Sequence, residues 1–187
     1  GNTLRQNAGA NLAVSGQDST VTGNSLIGAG DESGMANGIG LLIGGGRNVL
    51  VSGNTIADNH GFGVMVYPGC QQVDLLANRI ARNSGHGPDP YPYQVYAVGT
   101  ADQRIADLRV LGNVLTEDRA VAAGHVLVNQ CDRVTVLGNT LAGSVGAAVV
   151  AGAACDRLTV CGNASDKAFS LNAGATNVRA EGNYLPA

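Results

Sequence analysis

The sequence predicts an all-β chain wound as a right-handed parallel β-helix, a three-sheet solenoid of about eight coils. Three observations predict it. A tetrapeptide, Gly-Asn-x-Leu/Ile, recurs along the whole chain. Apolar residues stand at fixed offsets from its Asn with a period of two, the signature of a strand with one buried face. The repeats are short and irregularly spaced, as in a solenoid whose turns accept insertions.

The repeated Asn falls at Asn2, Asn24, Asn54, Asn78, Asn113, Asn139, Asn163 and Asn183. Ala77 replaces the Gly before Asn78. The intervals of 22, 30, 24, 35, 26, 24 and 20 residues are too short for propeller blades of about 40–50 residues. A sharp corner between strands needs a residue that tolerates left-handed φ/ψ, and Asn is one. Its amide is also expected to bond the Asn of the next coil, giving a ladder like those of cross-β assemblies. The Asn row therefore reads as scaffold, not catalyst.

Each coil then resolves into three strands. The first reads Leu12–Val14, Leu41–Ile43, Val64–Val66, Val95–Ala97, Val126–Val128 and Ala148–Val150 in successive coils. Its middle residues, Ala13, Leu42, Met65, Tyr96, Leu127 and Val149, are expected to point outward. The second strand precedes the Asn. Positions five and three before it are apolar (Val49 and Val51, Leu108 and Val110, Val134 and Val136), while position four is mostly polar (Thr20, Asp74, Arg109, Thr135). The third strand follows the Asn and buries Leu4, Leu26, Ile56, Ile80, Leu115, Leu141 and Leu185, with Ser165 the exception.

Composition bounds the function. The chain has 187 residues, fitting one domain, a net charge of −3 and a single lysine, Lys167. With no basic run, nucleic acid is not an expected partner. No apolar stretch approaches the 18 residues or so that span a membrane. The four Cys show no zinc-like spacing. Cys70, Cys131 and Cys155 each stand eight residues before an Asn. Cys131 and Cys155 should therefore stack in adjacent coils, as buried thiols or, geometrically open to the same pair, as a disulfide. Cys161 should be semi-exposed. The chain begins inside a repeat, so a longer parent protein is expected.

The Asn ladder, the three-strand coils and the run from Val49 to Ile56 (Val-Leu-Val-Ser-Gly-Asn-Thr-Ile) resemble the pectate-lyase-like superfamily of parallel β-helices. The resemblance covers essentially the whole chain. The segments Gly63–Tyr67 and Asn78–Asn83 are most similar in repeat style to mannuronan C5-epimerases. The resemblance implies a polysaccharide partner and an extracellular or cell-surface location, with the substrate groove along the first sheet. An epimerase-type site carries Asp-Pro-His-Glu near a Tyr. Here Asp89-Pro90 is followed by Tyr91-Pro92-Tyr93, so no role carries over from that motif. The clustered acids of polygalacturonases and the calcium-binding acids of pectate lyases are also missing from the first-sheet positions, so no cofactor is expected; calcium is left open but not indicated.

The loops entering the first sheet vary in length, and long loops are where function concentrates. One runs from Gly28 to Asn37, with Asp31 and Glu32; another runs from Ala81 to Pro92. Aligned on their Asn, Asp58 and Arg82 should be neighbours, as should Asn59 and Asn83. Proton abstraction beside a uronate carboxylate needs a base, a proton donor and a cation. The candidates are His60 or His86 as base, Tyr96, Tyr91 or Tyr93 as donor, and Arg82 as carboxylate clamp. Tyr67, Tyr91, Tyr93, Asp58, Asp89 and Asn129 are candidate sugar contacts, with His125 flanking the sheet. An Asp58–Arg82 surface ion pair worth little is the plainer alternative.

Two functions follow. One is an enzyme of lyase or C5-epimerase type on a uronic-acid-containing glycan. The other is a non-catalytic glycan-binding or structural β-helix, such as a tailspike or adhesin shaft. The outward stripe of the first sheet is apolar where a uronate groove should be polar. That points to a cover: a partner, a second copy in a homo-oligomer, or a further domain.

Overall fold

The computed structural model describes residues 1–30, 38–83, 93–119, 124–143, 146–172 and 174–184. The described residues form three parallel sheets of seven strands, and each strand pairs only with its equivalents in the adjacent coils. Eight Asn corners thus accompany seven described strands per sheet. The first sheet comprises Leu12–Val14, Leu41–Ile43, Val64–Val66, Tyr93–Val98, Gly124–Asn129, Val149–Ala151 and Ser170–Leu171. The second runs from Gln17–Thr22 to Thr176–Glu181, and the third from Thr3–Arg5 to Ala164–Ser165.

Register follows the apolar code. Leu26, Ile56, Ile80, Leu115 and Leu141 stack in the third sheet, and Val49, Val73, Leu108, Val134 and Leu158 in the second, all buried. Each such side chain contributes about 1.5–3 kcal/mol by leaving water. Every residue of the last second-sheet strand, Thr176–Glu181, is exposed, Val178 included.

The corner differs from the sequence expectation. The ladder Asn residues do not take left-handed φ; the residue before each does from Asn24 onward. Gly23, Gly53, Gly112, Gly138, Gly162 and Gly182 have φ of 60–67°, and Ala77 has φ 51°. This explains the Gly of the repeat, since a Cβ there costs roughly 1–2 kcal/mol. The Asn instead supplies hydrogen bonds. Asn78 is representative: its backbone N–H and Nδ2 both donate to Asn113 Oδ1, at 2.8 and 3.0 Å, and Nδ2 also donates to the Val51 carbonyl. From Asn24 onward each Oδ1 accepts two donors of the preceding Asn, and along the buried middle of the ladder these donors would otherwise be orphaned.

A second regularity was not read from sequence. The residue six before the Asn is also left-handed in seven coils: Asp18, Asn48, Gln72, Asp107, Arg133, Arg157 and Asn177. These positions form an outward polar column along the second sheet.

The last full first-sheet strand corrects the predicted register. Val126, Leu127 and Val128 pair with Val149, Val150 and Ala151. Val149 is buried and Val150 is the outward residue, so the strand begins one residue later than expected. A one-residue slip exchanges the two faces. Ala148 is buried too, in line with His125 and Gln94, because the chain turns inward just before this sheet. The four thiols are free, Cys161 is half-exposed as expected, and the Cys131 thiol contacts Cys155 without a disulfide.

Candidate functional site

The turns that lead from the third sheet into the first carry Asp58, Asn59, His60 and Arg82, as the coil alignment predicts. Asp58 and Arg82 both adopt left-handed φ, 57° and 50°, at the same position in adjacent coils. This matched geometry lays the guanidinium along the carboxylate. Arg82 Nε and Nη2 donate to the two Asp58 oxygens at 2.7 and 2.9 Å, and Arg82 Nη1 lies 3.8 Å from Asp118. The Arg82 hydrogen bonds hold the Asp58 carboxyl below its usual range against the opposing effect of burial. The fork assigned to a substrate carboxylate is therefore occupied by Asp58.

His60 is half-buried in the same wall. Its backbone N–H donates to the Ala29 carbonyl at 2.9 Å, and its side chain sits over Gly38, where a Cβ would come within 2.6 Å of the His60 Cβ. His86, Tyr91 and Asp89 lie outside the described residues, as do Asp31 and Glu32.

The face of the first sheet carries an aromatic cluster. Tyr96 lies in register with Met65 and Leu127 in the outward stripe. Phe62 stacks on it, with ring centroids 4.4 Å apart and planes inclined by 29°. Tyr93 stands 6.5 Å from Tyr96 and lies over Gly124, whose missing side chain makes room for the ring. Tyr67, 40% exposed, follows the strand Val64–Val66, and Asn129 ends the strand Gly124–Asn129. Both mark the opposite edge of the sheet from Asp58, His60 and Arg82. The predicted residues thus divide between two edges, with the rings of Tyr93 and Tyr96 on the face between them. Asn129 Oδ1 is buried with no partner among the described residues.

Beneath the entry wall runs a polar file that sequence reasoning caught only at Asn59 and Asn83. Asn11 Nδ2 donates to Asn59 Oδ1, Asn59 Nδ2 to Asn83 Oδ1, and Asn83 Nδ2 to Gln94 Oε1, at 2.7–2.9 Å. Gln94 Nε2 then donates to Glu117 Oε2 at 3.2 Å. Arg119 closes the file by donating from Nε and Nη2 to Glu117, whose side chain is fully buried. The file makes room for itself through glycines. A Cβ on Gly40 or Gly63 would come within 2.6 Å of Asn59 Nδ2 or 2.8 Å of Asn83 Nδ2. The readable signal was Asn five residues past the corner, at Asn7, Asn59 and Asn83, paired with Gly before the next strand.

His125 occupies the next inner position after Gln94. It is fully buried, and neither ring nitrogen has a partner among the described residues. Burial depresses its pKa to about 4, opposed by the nearby charges of Asp166 and Glu117. It is therefore a neutral imidazole inside the coil and not a group on the sheet face. No group of three or more His, Cys, Asp or Glu suited to a metal occurs among the described residues.

The profile of the family described as "Right handed beta helix region" matches residues 1–184. Comparison with curated proteins and with solved structures gives no match.

Proposed function

The chain belongs to the family of right-handed β-helix regions, and from that premise we propose that it binds a polysaccharide along the outer face of its first sheet. The observation that carries this reading is the stacked Phe62–Tyr96 pair with Tyr93 beside it. A pyranose ring has an apolar C–H face, and aromatic rings with half-covered surfaces give that face a flat contact while the hydroxyls turn to the sheet edges. Tyr67 and Asn129 at one edge, and Asp58 with Arg82 at the other, supply polar contacts. The aliphatic stripe of Leu42, Met65 and Leu127 extends the platform along the helix axis, so several sugars would lie across successive coils.

Binding without turnover is favoured over a lyase or C5-epimerase reaction by one geometric fact. Arg82 gives Nε and Nη2 to Asp58 and has Nη1 3.8 Å from Asp118, so both edges of its guanidinium already face acids. Catalysis by His60 with a tyrosine donor is the second reading, supported by their place on and beside the same sheet.

The two readings separate on assay. Glycan-array binding with Tyr96→Ala weakening the hits by about ten-fold, or about 1.4 kcal/mol, is the expected result. Binding unchanged in a folded Tyr96→Ala protein would remove the platform. Release of unsaturated uronate, or solvent-proton exchange into the polymer, that disappears in His60→Ala would establish the catalytic reading instead.

A further inference from the structure

We propose that the outer face of the second sheet carries a separate groove for the anionic groups of an acidic polysaccharide. The groove encloses about 470 Å³ and is lined by Arg109, Arg133, Arg157, Thr135, Thr159 and Asp107, with Gln72 at its margin. Three guanidinium groups line it, each with an acid on its Nε side (Asp74, Asp107 and Asp156) and its remaining edge exposed. The inference stands on these residues and not on the first-sheet platform.

The fold explains why they converge. Arg109, Arg133 and Arg157 belong to three successive coils, on the strands Ile105–Leu111, Cys131–Leu137 and Asp156–Cys161. Arg133 and Arg157 occupy the left-handed column six before the Asn, with φ of 55° and 54°. Arg109, Thr135 and Thr159 form the outward column four before it, in direct register. Two polar columns therefore flank the groove along the helix axis, with coils about 4.7–4.9 Å apart.

The arginines are held rather than fully engaged. Arg109 donates through Nε and Nη2 to Asp74, and Arg133 through Nε and Nη2 to Asp107, each acid coming from the preceding coil. Arg157 Nε lies 3.0 Å from Asp156. In all three, Nη1 has no partner among the described residues, and the side chains are 45–56% exposed. An acid on the Nε side fixes the guanidinium plane, so the ligand-facing edge loses little freedom on binding. Arg133 and Arg157 follow one another in one column, each with an acid on its Nε side, so an anion between them would meet two Nη1 groups from successive coils. The Thr135 and Thr159 hydroxyls add donors beside it.

The ligand that suits this row is a chain bearing carboxylate or sulfate at regular intervals, because the guanidinium groups repeat with the coils. The test is calorimetric titration of the intact chain with a uronate oligosaccharide, a sulfated one and a neutral glucan of equal length. Parent, Arg133→Ala/Arg157→Ala and Tyr96→Ala proteins are compared, with folding checked by circular dichroism. An affinity for one anionic oligomer that falls at least ten-fold in the double variant, and falls again on raising salt, is expected; which oligomer binds identifies carboxylate or sulfate. An unchanged affinity in the folded double variant, or equal groove-dependent binding of the neutral glucan, overturns the groove. Tyr96→Ala keeps the two sites apart: loss there alone defeats the groove and spares the platform, whereas loss in the arginine variant alone does the reverse. A single Arg157→Gln variant, which retains the Arg133–Asp107 pair, guards against a folding defect.

Discussion

Two adjacent residues divide the work of each corner. The glycine before the ladder Asn supplies the left-handed backbone, and the Asn supplies the hydrogen bonds. Gly112 has open space where a Cβ would stand, so Gly112→Ala should cost about 1–2 kcal/mol of backbone strain alone. Asn113→Ala should cost more, about 3 kcal/mol, because the Asn78 donors and the Leu75 carbonyl lose buried partners. Denaturant unfolding of the two variants checks the order, and equal costs would contradict the division. His125 gives a pH signature. Its folded pKa of about 4 lies below the ordinary 6.5, so the neutral form stabilises the fold fully above pH 6.5. That contribution is lost as pH falls towards 4, by roughly 3 kcal/mol in all. A His125→Leu protein should lack this slope, and an unchanged slope would show that another group causes it.

At the scale of strands and turns, the coil depends on matched small and polar residues. Gly63 faces Asn83 and the Gln94 carbonyl at distances that leave no room for a Cβ. Gly63→Ala should therefore destabilise by about 1–3 kcal/mol or more through overpacking and a disturbed polar file, measured as a drop in denaturant midpoint. A neutral effect would mean the file gives way readily. Much of this level was legible from sequence. The period of two and the offsets from Asn placed Val49, Val51, Leu108 and Val110 inward, and equal offsets paired Asp58 with Arg82. Other features were not legible because they lie between elements. The Gln94–Glu117–Arg119 continuation of the file joins residues with no common offset from the corner. The Val149 register turns on which of several small apolar residues faces in, and periodicity does not distinguish Ala148 from Val149.

The whole molecule is a stack of coils in which every strand touches only its neighbours, so ends and faces behave differently from the middle. Its outer surfaces are long and repetitive, suited to an extended ligand running along the axis. The candidate chemistry was less legible than the fold for this reason: a repeat fixes which side faces out, but not which outward side chains are already committed to each other. Sequence offered Arg82 both as a carboxylate clamp and as the partner of Asp58, and the structure holds it on Asp58; Arg109 was read as outward, but its convergence with Arg133 and Arg157 was not, because they occupy two different columns. Binding along the first sheet can be seen in a structure of the chain soaked with an oligosaccharide for which it has affinity. A sugar ring is expected to lie flat against Tyr96 and Phe62, with its neighbours crossing Met65 and Leu127. An oligosaccharide bound with its rings away from the first sheet, and Tyr96 untouched, would contradict it.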